Sequence, residues 1–273
     1  MTIVLTNDDG LFAPGITQLA AAFRAAGLPV VVVAPEANQS GVSRAANYTN
    51  PVRVAAEAAG PDTYLVAGTP VDCVRVALAG GLVPDVDLVV AGVNHGLNAG
   101  DDIYNSGTVG AAIEAALFGI PAIAISQQEA PGDLSILGPV GVAITDFSQS
   151  ARYGVALARA TLESTPPART VLNVNVPAQP AKGLTTSRLG KRLYGMQTVK
   201  PLAQQGLSSY FLVYGGPDDK PIPCETAPGT DFGALLDGFV AISPVSFDHD
   251  PQTRGDTWTW AEQLAGRAEA LLQ

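Results

Sequence analysis

Residues 2–10, TIVLTNDDG, join a run of β-branched and apolar residues to two adjacent aspartates and a glycine. The apolar run predicts an inner β-strand, because such side chains pack well on a pleated, buried surface. The two aspartates are harder to accommodate, since neighbouring carboxylates raise each other's pKa unless a positive group neutralises them. We therefore interpret Asp8 and Asp9 as candidate ligands of a cation.

Strand and helix patterns alternate from this segment onward, which is typical of an α/β fold with a mostly parallel sheet. The predicted strands cover residues 2–6, 29–35, 64–68, 85–94, 120–126 and 170–177. The predicted helices cover residues 13–27, 69–81, 106–119 and 151–162. Residues 36–63 are less regular and predict a loop with a short hairpin.

The pattern changes near residue 180, so we predict a catalytic core over residues 1–180 and a C-terminal extension over residues 181–273. The extension is predicted to contain β-hairpin arms within 183–195 and 207–216, a strand at 239–247 that returns to the core, and a terminal amphipathic helix from residue 258. Subunits often exchange elements of this kind. We expect the extension to serve oligomerisation, in a homodimer or a homotetramer.

Composition excludes several classes of protein. Acidic residues outnumber basic ones by 25 to 15, which argues against a nucleic-acid duplex as partner, because phosphate backbones are bound by Lys and Arg. Two cysteines, Cys73 and Cys224, make neither a disulfide framework nor a zinc pattern. No transmembrane helix or signal peptide is expected. The sequence predicts a soluble, cytoplasmic protein with no membrane partner.

Four polar clusters lie after predicted strands or at the start of a predicted helix. They are NDDG at 7–10, NQSG at 38–41, GVNHGLNAGDD at 92–102 and NSGT at 105–108. Ligands of open parallel sheets bind beyond the carboxyl ends of the strands. The four clusters together therefore predict one site.

The oxygen-rich chemistry of these clusters suits a hard divalent ion, Mg²⁺ or Mn²⁺. Asp8 and Asp9 offer carboxylates, Ser40 a hydroxyl and Asn94 an amide oxygen. The helix predicted to begin at Ser106 adds backbone N–H groups and a positive dipole end, which bind phosphate. A metal beside a phosphate site indicates transfer of a phosphoryl group to water.

Six ordered blocks of the sequence resemble the SurE (survival protein E) family of metal-dependent nucleotidases. They are IVLTNDDG, APEANQSG, GTPVDCVRVAL, AGVNHGLNAGDD, SGTVGAAIEAALFGIPAIAIS and LNVNVP, and together they span residues 3–177. The resemblance implies a Rossmann-like three-layer core and an extension used in oligomers. It also implies hydrolysis of nucleoside 5′- and 3′-monophosphates, extending to polyphosphate, with one divalent metal ion per subunit.

The resemblance assigns roles to eight residues. The metal ligands of the family fall on Asp8, Asp9, Ser40 and Asn94. The positions that contact phosphate fall on Asn98, Ser106, Gly107 and Thr108. We take Asp8 and Asp9 as the catalytic pair, with Asp9 orienting the attacking water or accepting its proton.

Other residues depart from the family pattern or carry weaker signals. Gln39 replaces a residue that is often basic, Asn105 one that is often aromatic, and Ser246 a histidine found in some members, with His249 three residues on. These departures leave the substrate preference and the acid for the leaving group open. For His95 we favour a surface role.

Two other functions stay open at this point. The first is a phosphatase that forms an aspartyl-phosphate, although the nucleophile position two residues before Asp9 is occupied by Asn7. The second is a nucleotide-binding regulator without turnover, although such a regulator would be expected to have lost part of the ligand set.

Overall fold

The computed structural model describes residues 1–135, 144–194, 199–204, 207–212, 222–248 and 253–272. The strands are β1 (Ile3–Thr6), β2 (Val30–Pro35), β3 (Val54–Ala56), β4 (Thr63–Val66), β5 (Leu88–His95), β6 (Ala122–Gln127), β7 (Thr170–Val176), β8 (Leu184–Thr186), β9 (Val199–Gln204), β10 (Leu207–Leu212) and β11 (Val240–Ser246). The α-helices are α1 (Pro14–Ala25), α2 (Pro70–Leu78), α3 (Gly107–Leu117), α4 (Ser148–Leu162), α5 (Asp231–Leu236) and α6 (Thr253–Ala270), with a 3-10 helix at Gly100–Tyr104.

Nine of these strands form one mixed sheet in the order β3-β4-β2-β1-β5-β6-β7-β11-β8. The strands from β4 to β7 in this order are parallel to their neighbours, while β3 pairs antiparallel with β4 and β11 pairs antiparallel with β7. The predicted α/β fold with a mostly parallel sheet is confirmed.

Alternating side chains of the inner strands build two apolar layers, one on each face of the sheet. Ile3 and Leu5 of β1 pack in the layer covered by α1, α4 and α6. Val4 points to the opposite layer, which is covered by α2 and α3. The polar groups at the ends of these strands therefore lie at one edge of a rigid three-layer core.

Local sequence signals set the starts of the helices that border this edge. Thr69 caps α2 through a reciprocal capping box with Asp72, and Pro70 occupies the first turn. Ser106 caps α3 by accepting a hydrogen bond from the backbone N–H of Val109. The helices predicted over residues 69–81 and 106–119 begin at these two capping residues.

The C-terminal part differs in detail from the prediction. The two-stranded hairpin is formed by β9 and β10, whereas residues 187–194 join other segments through isolated bridges at Arg188 and Arg192. Strand β11 returns to the main sheet as expected, α6 begins before residue 258, and α5 was not predicted. The division at residue 180 and the role of the extension in assembly stay predictions.

Within the part of the chain that the structure describes, none of the helices is long and apolar enough to cross a lipid bilayer.

Candidate active site

A cavity of about 610 Å³ opens at the carboxyl ends of β1 and β5. Its wall brings together most of the residues singled out from the sequence: Asp8, Asp9, Ser40, Asn94, Asn98 and Ser106. Gly107 and Thr108 lie behind this wall, against Asp8. The four polar clusters therefore converge on one site, as the parallel topology requires.

The turn after β1 presents both aspartates because Asn7 closes it. The Asn7 side chain donates to the carbonyl oxygen of Gly10 at 2.9 Å and accepts from the Gly10 N–H at 3.2 Å. Asn7 is fully buried. Asn7 therefore has a structural role, because it closes the turn without using the side chains of Asp8 and Asp9.

Asp8 is held by the first turn of α3. Its Oδ1 accepts from the Thr108 hydroxyl at 2.5 Å, and its Oδ2 accepts from the Thr108 N–H at 3.2 Å. The positive end of the helix dipole adds to this stabilisation of a carboxylate. Burial nevertheless raises the pKa of Asp8, and the hydrogen bonds from Thr108 only counteract this shift.

The absence of a side chain at Gly107 leaves space for the Asp8 side chain. A Cβ atom at position 107 would lie 2.9 Å from the Asp8 Cβ and 3.0 Å from its Oδ2. The start of α3 therefore fits closely around the carboxylate only when residue 107 has no side chain. The predicted roles of Gly107 and Thr108 in binding phosphate stay predictions, and their visible contacts are with Asp8.

Asp9 is held more loosely and faces the cavity. Its Oδ2 accepts from the backbone N–H of His95 at 3.1 Å, and its Oδ1 lies 3.4 Å from the Asn38 side-chain nitrogen. Burial, followed by the neighbouring charge of Asp8, raises the pKa of Asp9 to about 6. A carboxyl group in this state gains from a cation and can exchange a proton near neutral pH.

The loop that carries Ser40 is fixed to the site on both sides. The Gln39 N–H donates to the Asp8 carbonyl oxygen at 2.7 Å, and the Ser40 N–H donates to the Asn38 side chain at 2.8 Å. Further along the loop, the Ser43 hydroxyl donates to the Tyr104 carbonyl oxygen at 2.6 Å. Ser40 itself is exposed on the cavity wall.

Asn94 lies where the register between β5 and β6 shifts, between Ala91 and Asn94. Irregularities of this kind are frequent beside active sites, where they change the direction in which a side chain points. The Asn94 amide nitrogen donates to the Gly96 carbonyl oxygen at 2.9 Å. Among the described residues nothing donates to its amide oxygen, which leaves that oxygen available as a ligand.

Asn98 is anchored by a buried amide network. Its carbonyl oxygen accepts from the side chains of Asn173 at 2.8 Å and Asn175 at 2.9 Å, and its own side chain donates to the Ser126 hydroxyl at 2.8 Å. The two asparagines on β7 belong to the LNVNVP block. Their hydrogen bonds to Asn98 explain why two polar residues occur in the middle of a fully buried strand.

The donor set fits a hard divalent metal ion. The ligands are oxygens only: a buried and a half-buried carboxylate, each with a raised pKa, an amide oxygen to which none of the described residues donates, and an exposed hydroxyl. The described residues contain no group of three or more His, Cys, Asp and Glu side chains placed to hold a metal. An ion at this site would therefore rely on two acidic ligands completed by neutral oxygens.

His95 and Glu129 belong to the wall of the cavity, although the sequence reasoning had not placed them there. The His95 Nδ1 lies 3.2 Å from the Glu129 Oε1, and its Nε2 accepts from the Ile144 N–H at 3.0 Å. The surface role favoured for His95 is therefore corrected. The position of His95 next to Asn94 was the signal available in the sequence, whereas Glu129 gave none.

Asp102 also lines the cavity, but its charge is already compensated. The buried Arg192 side chain donates from Nε to Asp102 at 3.0 Å and from its terminal nitrogen at 2.5 Å. Burial raises the pKa of Asp102 and the guanidinium counteracts that shift.

Ser246 ends β11, whereas His249 lies outside the described residues.

Comparison with known proteins agrees with this geometry. The family model described as survival protein SurE matches residues 3–196. The chain belongs to the SurE family. A relative named 5′-nucleotidase SurE from Anaeromyxobacter sp. (strain Fw109-5) is 40% identical over 95% of this chain and 96% of its own length. Another of that name, from Xylella fastidiosa (strain M12), is 38% identical over 98% and 99%.

A solved structure extends the SurE likeness to three dimensions. The crystal structure of the SurE protein from Aquifex aeolicus matches with a TM-score of 0.74 and 33% identity, over 96% of this chain and all of the other. The family is generally metal-dependent, which agrees with the oxygen donors gathered around Asp8 and Asp9.

Proposed function

We propose that this protein is a metal-dependent nucleotidase that hydrolyses nucleoside 5′-monophosphates to nucleoside and phosphate. The observation that carries the proposal is the pair of adjacent carboxylates on the wall of a cavity of about 610 Å³, where Asp8 is buried and Asp9 is half-buried. The relatives named 5′-nucleotidase SurE support the substrate class. Activity on 3′-monophosphates and on polyphosphate is the wider expectation from the sequence.

Asp8, Asp9, Ser40 and Asn94 would hold the ion, which we propose to be Mg²⁺ or Mn²⁺, one per subunit. Bound there, a divalent ion supplies a Lewis acid for a phosphate oxygen and lowers the pKa of water. The chain's own contribution is rigid placement of the donors. Thr108 fixes Asp8 through two hydrogen bonds, and the backbone of Gln39 fixes the Ser40 loop to the same turn.

Asp9 is the residue that we assign to proton transfer. Its carboxylate faces the cavity beside the other proposed ligands, where it can orient the attacking water or accept its proton. The two contacts that orient it, from the His95 N–H and the Asn38 side chain, leave it facing the cavity. Asn98 and Ser106 line the same wall and would donate to the phosphate.

The aspartyl-phosphate alternative loses its remaining support. The residue that would act as nucleophile, Asn7, is buried and committed to both backbone groups of Gly10. The regulator alternative has no feature in its favour either, because every proposed ligand side chain is present on the cavity wall.

Release of phosphate tests the proposed function directly. The purified protein is assayed with 5′-AMP, 3′-AMP and a short polyphosphate, each in Mn²⁺, in Mg²⁺ and in EDTA. We expect release from 5′-AMP that requires a metal and is lost in the Asp8→Asn/Asp9→Asn double variant. Nucleotide binding without release in either metal would refute the proposal and favour a sensor.

We also propose a cytoplasmic location and a homodimer or homotetramer. Gel filtration with light scattering measures the number of subunits.

A further inference from the structure

Strand β7 carries two asparagines, Asn173 and Asn175, to which the proposed chemistry gives no role. They are two residues apart in a strand and therefore lie on the same face of the sheet. Both are fully buried, in a strand whose seven residues are all buried. A buried amide costs free energy on folding unless it is hydrogen-bonded, so the partners of these two side chains indicate what they do.

Both side chains bind the backbone of Asn98. The Asn175 Oδ1 accepts from the Asn98 N–H at 3.0 Å, and its Nδ2 donates to the Asn98 carbonyl oxygen at 2.9 Å. The Asn173 Nδ2 donates to the same carbonyl oxygen at 2.8 Å. Asn98 lies between β5 and the 3-10 helix, outside regular secondary structure. Among the described residues, these two side chains are the only hydrogen-bond partners of its backbone.

Asn173 is held in the core at a cost. Its Oδ1 is buried and has no hydrogen-bond donor among the described residues. An unsatisfied buried acceptor lowers the free energy of unfolding, whereas an apolar side chain of the same shape carries no such penalty. The hydrogen bond to Asn98 is therefore the contribution of this side chain that an apolar residue would not supply.

The fixed backbone determines where the Asn98 side chain points. Asn98 is 7% exposed and forms part of the cavity wall, together with Asp8 and Asn94. Its Nδ2 carries two hydrogens, and one of them is donated to the Ser126 Oγ at 2.8 Å. The second hydrogen is left for an acceptor in the cavity, and a phosphate oxygen is such an acceptor.

We infer that Asn173 and Asn175 are positioning residues, which set the affinity of the cavity for phosphate by fixing Asn98. The inference rests on the proposed function, in which Asn98 donates to the phosphate. Among the described residues, no hydrogen bond joins either asparagine to a proposed metal ligand. The affinity for the metal ion should therefore not depend on them.

Binding of inorganic phosphate to the Mg²⁺-loaded protein is the first test, with Kd measured by calorimetry. Asn98→Ala should raise Kd by about 10- to 100-fold, as expected when a hydrogen bond to a charged group is lost. Asn175→Ala and Asn173→Leu should each raise it by about fivefold or more, because a displaced donor no longer meets the phosphate. The Kd for Mg²⁺ itself should stay within about twofold of the wild-type value in both asparagine variants of β7.

The Asn173→Leu variant keeps the test independent of folding. Leucine has the same branching as asparagine and removes the unsatisfied acceptor, so this variant should stay folded. Its phosphate affinity should fall although its stability in denaturant is retained. A purely structural role predicts the reverse, which is lower stability with an unchanged Kd for phosphate, and that result would overturn the inference.

A double variant shows whether Asn175 acts through Asn98. In an Asn98→Ala background, Asn175→Ala should change the Kd for phosphate by less than about twofold, because the group that it positions is already gone. Effects of the two substitutions that multiply in full would overturn the inference.

Ser243→Ala is the matched control. Ser243 is a buried neighbour of Asn173 on β11, and its hydroxyl pairs with that of Ser187 at 3.0 Å. The variant therefore loses a buried hydrogen bond beside β7 that does not involve Asn98, and it should bind phosphate as the wild type does. An increase in Kd equal to that of Asn175→Ala would overturn the inference.

Kinetics with 5′-AMP separate failure of this inference from failure of the proposed function. We expect KM to rise in Asn175→Ala and Asn173→Leu in proportion to the Kd for phosphate. Hydrolysis of 5′-AMP by the wild type, with normal phosphate binding in both variants, would overturn the inference and leave the nucleotidase intact. Phosphate binding that the variants weaken, without hydrolysis of any nucleotide, would overturn the proposed function and support the positioning role. Absence of phosphate binding in the wild type would overturn the inference.

Discussion

Two pairs of adjacent aspartates contribute to the wall of the same cavity, the second pair through Asp102 alone, and the fold treats their charges in opposite ways. Asp101 accepts from the Arg192 N–H at 2.7 Å and Asp102 binds the Arg192 guanidinium, which also lies over the ring of Phe232. Among the described residues, no Lys or Arg side chain pairs with Asp8 or Asp9. The same dipeptide therefore takes part in a structural ion pair at one position and has no basic partner among the described residues at the other.

The contrast shows why a positive group is expected at only one pair. Burial raises the pKa of Asp8, Asp9 and Asp102 alike. Arg192 opposes that shift at Asp102 and outweighs the repulsion from Asp101, whereas at Asp9 the charge of Asp8 raises the pKa further. A cation bound at Asp8 and Asp9 would offset this repulsion, which is the physical basis for the proposed metal site.

The largest expected effect is the difference in kcat between Asp9→Asn and Asp101→Asn. Loss of the proposed base should lower kcat for 5′-AMP by about 100- to 10,000-fold at saturating metal. Asp101→Asn should leave kcat near the wild-type value, because Asp101 accepts only a backbone hydrogen bond from Arg192. Near-full turnover in Asp9→Asn, with metal binding retained by calorimetry, would end the assignment of Asp9.

Arg192→Met tests the structural pair. Removing one partner of a buried ion pair is expected to lower the free energy of unfolding by about 3–5 kcal/mol, because Asp102 is left without compensation. Arg188→Met is the control, since the Arg188 side chain is 48% exposed and its pair with Glu225, like other exposed pairs, should contribute little to stability. Denaturant unfolding measures both variants. Equal losses would show that burial of the Arg192 pair does not matter.

Thr108→Val tests the support of the Asp8–Asp9 pair. It removes the hydroxyl that donates to Asp8 and preserves the shape of the side chain. We expect metal affinity to fall by about 10- to 100-fold, as when a supporting residue of a metal ligand is lost. Thr108→Ser, which keeps the hydroxyl, should stay close to wild type in the same Mn²⁺ titration. A similar fall in both variants would point to packing instead.

The smallest expected effect concerns the pH dependence of the free energy of unfolding in EDTA, which should differ between the two aspartate pairs. The folded-state pKa of Asp9 is about 6, above the ordinary value of 3.8. Its contribution to stability is therefore complete below about pH 4 and is lost as the pH rises to about 6. We expect a loss of about 1–2 kcal/mol across this window, after allowance for solvent screening.

Denaturant unfolding of metal-free protein between pH 4 and 7 measures this slope. The slope should shrink in Asp9→Asn and persist in Asp101→Asn. An unchanged slope in Asp9→Asn would show that another group carries the titration.

Much of the core could be predicted from local patterns. Runs such as TIVLT and PVVVVAP specify buried strands, and Thr69 and Ser106 mark helix starts, because these signals depend on neighbours in sequence. The extension was predicted less well. Residues 187–194 have a strand-like pattern, but the main contacts of Arg192 are with Asp101, Asp102 and the Leu134 carbonyl oxygen, all more than fifty residues away.

The sequence by itself determined the α/β core, the polar clusters at strand ends and the oxygen chemistry of the candidate metal ligands. These depend on residue type and on order along the chain. Only the tertiary structure decided which aspartate pair is neutralised, that Thr108 supports Asp8, and that His95 and Glu129 lie side by side in the cavity wall. Charge compensation depends on distance in space, and Arg192 and Glu129 reach their partners only after the sheet brings distant segments together.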